Sequence, residues 1–133
     1  MIQAHADAIL DLLRADSELT VIDGPVPQGT VPPYVVVYID DSDPELPDSR
    51  PLTGDSERHV TRGYIHSVGS NGVAVRAVRQ RVRAALLDVR PTIAGRSCMP
   101  IRREDGQPAR SDEETGSPLV SAVDVYRLES VPA

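Results

Sequence analysis

Hydrophobic positions along the chain repeat with two different periods. In the first segment, "IQAHADAILDLLRAD", Ile2, Ala6, Ile9, Leu10 and Leu13 share one stripe at about 100° per residue. Asp7, Asp11 and Arg14 lie opposite, so the segment predicts an amphipathic helix. It should end near Asp16, because Ser17 and the Asp23-Gly24-Pro25 punctuation follow. "ELTVI" between them suits a short extended piece. A second helical period runs over roughly 71–89, where Val75, Val78, Val82, Ala85, Leu86 and Val89 make the stripe predicted to be buried and Pro91 marks the end.

The other segments alternate with period two. After a stiff connector with prolines at 25, 27, 32 and 33, the run 34–39 is apolar on both faces: Val35, Val37 and Ile39 against Tyr34, Val36 and Tyr38. Such strands are usually covered on both sides, and a neighbouring chain can supply the second cover. In 57–68, Arg58, Val60, Arg62, Tyr64, His66 and Val68 share one face. His59, Thr61, Gly63, Ile65 and Ser67 share the other. "GSNG" (69–72) brings turn and helix-start chemistry. Residues 92–103 read as a strand broken at Pro100. In the closing strand, 119–130, Leu119, Ser121, Val123, Val125 and Arg127 alternate with Val120, Ala122, Asp124, Tyr126 and Leu128.

The order of elements predicts an α+β fold: an antiparallel-rich four-stranded sheet with two helices packed on one face and long loops between strands. One domain over 1–133 is expected, with extended loops at about 40–56 and 104–118.

Composition narrows the functional classes. All 14 basic residues are arginine, valine occurs 17 times, and Phe and Trp are absent, so the core must be aliphatic with four tyrosines as its only aromatics. The net charge of −6 argues against nucleic-acid binding driven by overall charge. The single Cys98 cannot form an internal disulfide. Neither a signal-peptide pattern nor a run of about 20 apolar residues is present, so a soluble chain made in the cytoplasm is expected.

Catalytic and metal-binding patterns are missing. His59 and His66, seven apart in one strand, point to opposite faces; the third histidine is His5. No zinc spacing, phosphate-binding loop, dinucleotide fingerprint or nucleophile elbow occurs. Asp40, Asp41 and Asp43 lack the glycine and terminal glutamate of a calcium loop. The reading is of a protein that is not an enzyme and has no cofactor.

Two charged features remain. Arg76, Arg79, Arg83 and Arg90 cluster beside the buried stripe of the second helix within about 60° of arc, while Arg81 lies apart. The row is either solvated, or pairs with acidic loops, or is a subunit interface, where arginine is favoured. The segment 40–55, "DDSDPELPDSRPLTGD", holds six acids and three prolines against one arginine. It is either a plain solvated loop or a lumen-lining or assembly loop, with Asp40, Asp41, Asp43, Glu45, Asp48 and Asp55 as its candidate residues.

The whole arrangement resembles the tail terminator (tail completion) proteins of long, flexible-tailed bacteriophages. The resemblance covers most of 2–128. It rests on "ILDLLRADSELTVIDGPVPQGTVPPYVVVYID", with its L-x-x-D-x-x-L helix ending and G-x-V-P-x-G entry to Pro-Tyr-Val-Val. "HVTRGYIHSV", "AVRAVRQRVRAALLD", "TIAGRSCMPIRRE" and "SAVDVYRL" follow in order. The loop 40–56 is longer and more acidic than the family pattern. The resemblance implies a structural virion protein that forms a ring, six-membered in such proteins, on the head-proximal end of the tail tube. The ring stops tube polymerisation and joins the tail to the neck. The implied partners are copies of the chain itself, the tail tube protein and the neck or connector proteins. Genome DNA would pass through the lumen without sequence-specific binding, and no membrane is involved. The implied location is the virion tail or neck. A head-closure or connector subunit of the neck is the nearest alternative; a small monomeric enzyme or ligand-binding domain is a remoter one.

Overall fold

The computed structural model describes residues 2–40, 58–111 and 119–133. In chain order the elements are α1 (Ile2–Arg14), β1 (Val21–Asp23), β2 (Tyr34–Asp40), β3 (His59–Gly69), α2 (Gly72–Leu86), β4 (Arg96–Cys98), β5 (Arg102–Gly106), β6 (Arg110–Ser111) and β7 (Val120–Pro132).

The α+β class holds, but the sheet is not the four-stranded antiparallel one expected. Among the described residues it has seven strands and is mixed, running β1-β2-β3-β7-β4, with β5 and β6 also on β7. β1 pairs parallel to β2, Val21 opposite Val35, and every other pair is antiparallel. β7 is the hub. One edge follows β3 from His59↔Ser130 to Gly69↔Val120. Its other edge carries β6, β5 and β4 in succession. The expected break at Pro100 separates β4 from β5. The region 104–118, expected as loop, contains the end of β5 and all of β6; Arg102–Gly106 is an exposed edge strand whose charged residues give no apolar alternation.

Both helices lie on one face of the sheet. Ile9, Leu10 and Leu13 of α1 and Val78, Val82 and Leu86 of α2 form one cluster with Val35, Val37, Ile65, Tyr126 and Leu128. Fully burying a side chain of this kind contributes roughly 1.5–3 kcal/mol. Val75 is also buried, whereas Ala85 and Val89 are only half-buried. On the opposite face Tyr34, Val36 and Val68 make a smaller cluster with Ile22, Val26 and Leu119.

Local chemistry sets the limits of α2. Asn71 caps its start, Oδ1 accepting from the Ala74 amide at 2.9 Å. Gly69 admits the helix: a Cβ there would meet the Ala74 Cβ at 2.8 Å. The helix stops at Leu86, three residues before the expected limit at 89. Asp88 has φ 62°, its amide donates to the Ile101 carbonyl, and the Ile101 amide donates to the Val89 carbonyl. Pairing with Ile101 draws the chain out of the helix before Pro91. The connector from β1 includes cis bonds at Gly24-Pro25 and Pro32-Pro33 and enters β2 at Tyr34.

Candidate interface site: a basic pocket beside Asp124

Asp124 stands on the helix-covered side of β7, between Ala122 and Tyr126, and its side chain is only 4% exposed. A lone buried carboxylate is costly, so it must be matched. Arg79 of α2 does so with two bonds, Nε to Oδ2 at 2.9 Å and Nη2 to Oδ1 at 2.8 Å. Arg103 of β5 adds Nε at 2.9 Å and Nη2 at 2.8 Å, both to Oδ1. Burial pushes the Asp124 carboxyl up, but the hydrogen bonds and charges of Arg79 and Arg103 outweigh it and hold the group below its usual range. Gly106 leaves room for this arrangement. A Cβ there would collide with the Arg103 guanidinium and Asp124 Oδ1.

Around this triad lies a concave pocket of about 440 Å³, lined by Arg76, Arg79, Gln80, Arg83, Arg103, Asp124 and Tyr126. Arg76 and Arg83 are exposed and make no ion pair with any described residue. Four guanidinium groups against one carboxylate give the pocket a net positive charge. Tyr126 forms its floor, its phenol pushed up by burial and then by the Asp124 charge.

Three of the four arginines singled out in the sequence therefore meet at one pocket. Arg90 does not line it; it lies past the end of α2 and is exposed. Arg81 does lie apart, bound to Asp16 at 3.0 Å and Glu18 at 3.1 Å beyond α1. Asp40 closes β2 opposite Arg62. Asp41, Asp43, Glu45, Asp48 and Asp55 lie outside the described residues. Asp124, Arg103, Gln80 and Tyr126 were missed as site residues. The available signal was an acid at an inward position of β7 between apolar neighbours, which calls for a basic partner from the covering helix.

A second polar group lies under α1. His5 is fully buried, with Nδ1 2.9 Å from Thr61 Oγ1 and Nε2 2.7 Å from Ser130 Oγ. Arg96, which can only donate, reaches Ser130 Oγ at 3.0 Å and the Ser130 carbonyl at 2.9 Å. Ser130 then has its hydroxyl proton for a neutral His5. Burial first, then the charges of His59 and Arg96, lowers His5 to about 4. The His59 ring stands edge-on to His5, centroids 5.0 Å apart, and His66 stands edge-on to Tyr38 at 5.5 Å. Cys98 is buried and its thiol pushed up by burial. Among the described residues no group of three or more His, Cys, Asp or Glu side chains is placed to hold a metal ion.

Comparison with solved structures defines the class of fold. The chain is similar to one from the virion of a native gene transfer agent particle, with TM-score 0.71 and 20% identity over 93% of this chain and 92% of that one. A second solved chain aligns at TM-score 0.54 and 13% identity, over 98% of this chain and 92% of the other. No curated protein gives a significant match. The family model described as tail completion protein gp17 matches residues 7–125, and the chain belongs to that family of phage tail structural proteins.

Proposed function

We propose that the chain is a tail terminator: a subunit of a ring, hexameric by the resemblance, that caps the head-proximal end of the tail tube. The ring stops tube polymerisation and joins the tail to the neck or connector proteins, and genome DNA passes through it. The family match over 7–125 carries this reading. The similar fold of a virion component is consistent with it.

Two physical features support a ring. A cyclic head-to-tail assembly needs two different complementary patches on each copy. Arg76, Arg83 and Arg90 offer one, since none has an ion-pair partner among the described residues. Arg79 contributes to the same wall while it holds Asp124. The acidic segment 40–56, as an assembly loop, is the candidate for the other patch; as a lumen lining instead, its acids would repel phosphates and let DNA slide.

The test is imaging of labelled chain on purified particles, together with particles that lack it. Label at the head–tail junction and tubes of uncontrolled length are expected. Label elsewhere, or normal tails without the chain, would sink the proposal. Label on the head side of the junction with normal tube length would favour a head-closure subunit. Charge reversal at Arg76, Arg83 and Arg90 should weaken assembly and leave the monomer folded. Arg79 is omitted from that set because its reversal would strand Asp124.

A further inference from the structure

Charge is unevenly shared along this chain. The described residues hold thirteen arginines against eleven carboxylates, an excess of positive charge. The runs 41–57 and 112–118 hold nine carboxylates against the single Arg50. The chain's −6 therefore comes from these two runs, while the sheet and helices carry a net positive charge and the pocket at Asp124.

We propose that this pocket is a receptor for the carboxylates of an acidic peptide, and that its occupant is the acidic run 40–55 of a second copy of this chain. The inference rests on the ring reading for its second copy and goes beyond it by naming the site and its ligand. Three observations carry it. First, the pocket's charge is only partly used. Asp124 engages Arg79 and Arg103, leaving Arg76 and Arg83 to meet an incoming anion.

Second, the spacing favours two separate monoanions. Arg76 and Arg83 are seven residues apart, two helical turns, or about 10.5 Å along the axis. In a polyproline-type extended peptide, with three residues per turn and a rise of about 3.1 Å, side chains three residues apart lie on one face about 9 Å apart. Beyond β2 the run contains such a pair, Glu45 with Asp48, with Pro44 and Pro47 beside it to favour that geometry. A compact dianion such as phosphate would face the Asp124 carboxylate in the wall.

Third, the guanidinium groups present paired donors, the geometry that binds carboxylates two bonds at a time. Nucleic acid is a poorer candidate because the net charge of −6 opposes its approach. A peptide held nearby by assembly meets no such long-range barrier.

The test has two arms. In the first, a synthetic peptide of sequence 40–55 is titrated against the isolated full-length chain. Saturable binding is expected. It should weaken about tenfold or more in the R76Q/R83Q variant, and equally when the peptide's acids become Asn and Gln. R76Q/R83Q leaves Arg79, Arg103 and Asp124 in place, so the variant should fold. Absence of binding, binding indifferent to R76Q/R83Q, or equal affinity for inorganic phosphate or a DNA oligonucleotide would overturn the peptide site. This arm needs no tail and no ring, so it can fail while the terminator reading stands, or hold while that reading falls.

The second arm identifies the source. Gln80→Cys, in the pocket wall, is combined with Asp48→Cys, and assembled particles are oxidised. Disulfide-linked oligomers on a denaturing gel are expected. An intrachain bond alone, or no bond, would overturn the second copy as occupant.

Discussion

The two faces of the sheet handle charge in opposite ways. On the helix-covered face the buried Asp124 carboxylate is held by three hydrogen bonds and a further close ion contact from two arginines, and a histidine kept neutral chiefly by burial is bonded to two hydroxyls. On the face without helices a ladder of like size runs across β3, β7 and β5. Arg58 meets Glu129 at 3.0 Å, Arg62 meets Glu104 at 2.8 Å, and Arg127 lies 3.3 Å from Glu104 and 3.5 Å from Glu129. Both partners of each pair in the second set meet water, whereas the Asp124 carboxylate and the His5 ring in the first are buried. Desolvation makes each buried polar group demand a particular partner, whereas exposed pairs of equal geometry contribute little. Geometry alone does not rank these interactions; burial does.

The comparison can be broken by mutation. The largest effect is expected where no charge is involved. Leu86→Ala, at a fully buried site, should cost about 2–5 kcal/mol in chemical denaturation. Val125→Ala, on the open face and half-buried, should cost about 1 kcal/mol or less. Next comes Asp124→Ala, expected to cost about 3 kcal/mol because two arginines lose their shared acceptor. Adding Arg103→Ala to that variant should cost much less than Arg103→Ala alone. Additive losses would mean that the triad does not act as a unit.

A third prediction uses pH. His5 is lowered to about 4 when folded, from an ordinary value near 6.5, so the unfolded chain takes up the proton first. Its contribution is complete above about pH 6.5 and is lost as pH falls toward 4. Between pH 7 and 5 the loss should be about 2 kcal/mol, followed by denaturation at a series of pH values. His66, also lowered by burial, adds in the same direction. His5→Gln should flatten the profile in that window. The Asp124 carboxyl is depressed, so its contribution persists through this window and fades only below about pH 3.9. The smallest effect belongs to the open face. A double-mutant cycle on Arg127 and Glu104 should give about 0.2–1 kcal/mol of coupling, shrinking as salt is raised.

Much of the covered face was legible in the sequence. The stripe Val75, Val78, Val82, Leu86 and the alternation Ala122, Tyr126, Leu128 are direct traces of burial, and the structure buries each of them. The parallel strand β1 was only half legible. "ELTVI" is apolar enough to be extended, but three residues carry no information about the direction or partner of pairing. β5 was legible only at its start, Arg102 and Arg103, inside the strand read over 92–103; Glu104 and Asp105 are exposed edge residues with no apolar alternation and read as loop. The site was legible to the same degree. A helical period groups Arg76, Arg79 and Arg83, but only tertiary packing sets Arg103, on a distant strand, against Asp124. The His5 network hides for a similar reason: its partners lie 56 and 125 residues away.

The hub position of β7 also bears on how the molecule reaches its native state. Its partners on β3 are separated from it by some sixty residues in sequence, as in His59↔Ser130 and Gly69↔Val120. Such pairings are slow to find, because the intervening chain must lose its freedom before the ladder forms. Until they form, eleven residues of β3 keep one bare edge, rich in valine, isoleucine and tyrosine. That edge is a template for any extended strand, including a wrong one from another copy. In a crowded assembly pool, mutations that weaken β7 should therefore lower the yield of soluble subunits before they lower the activity of those that fold.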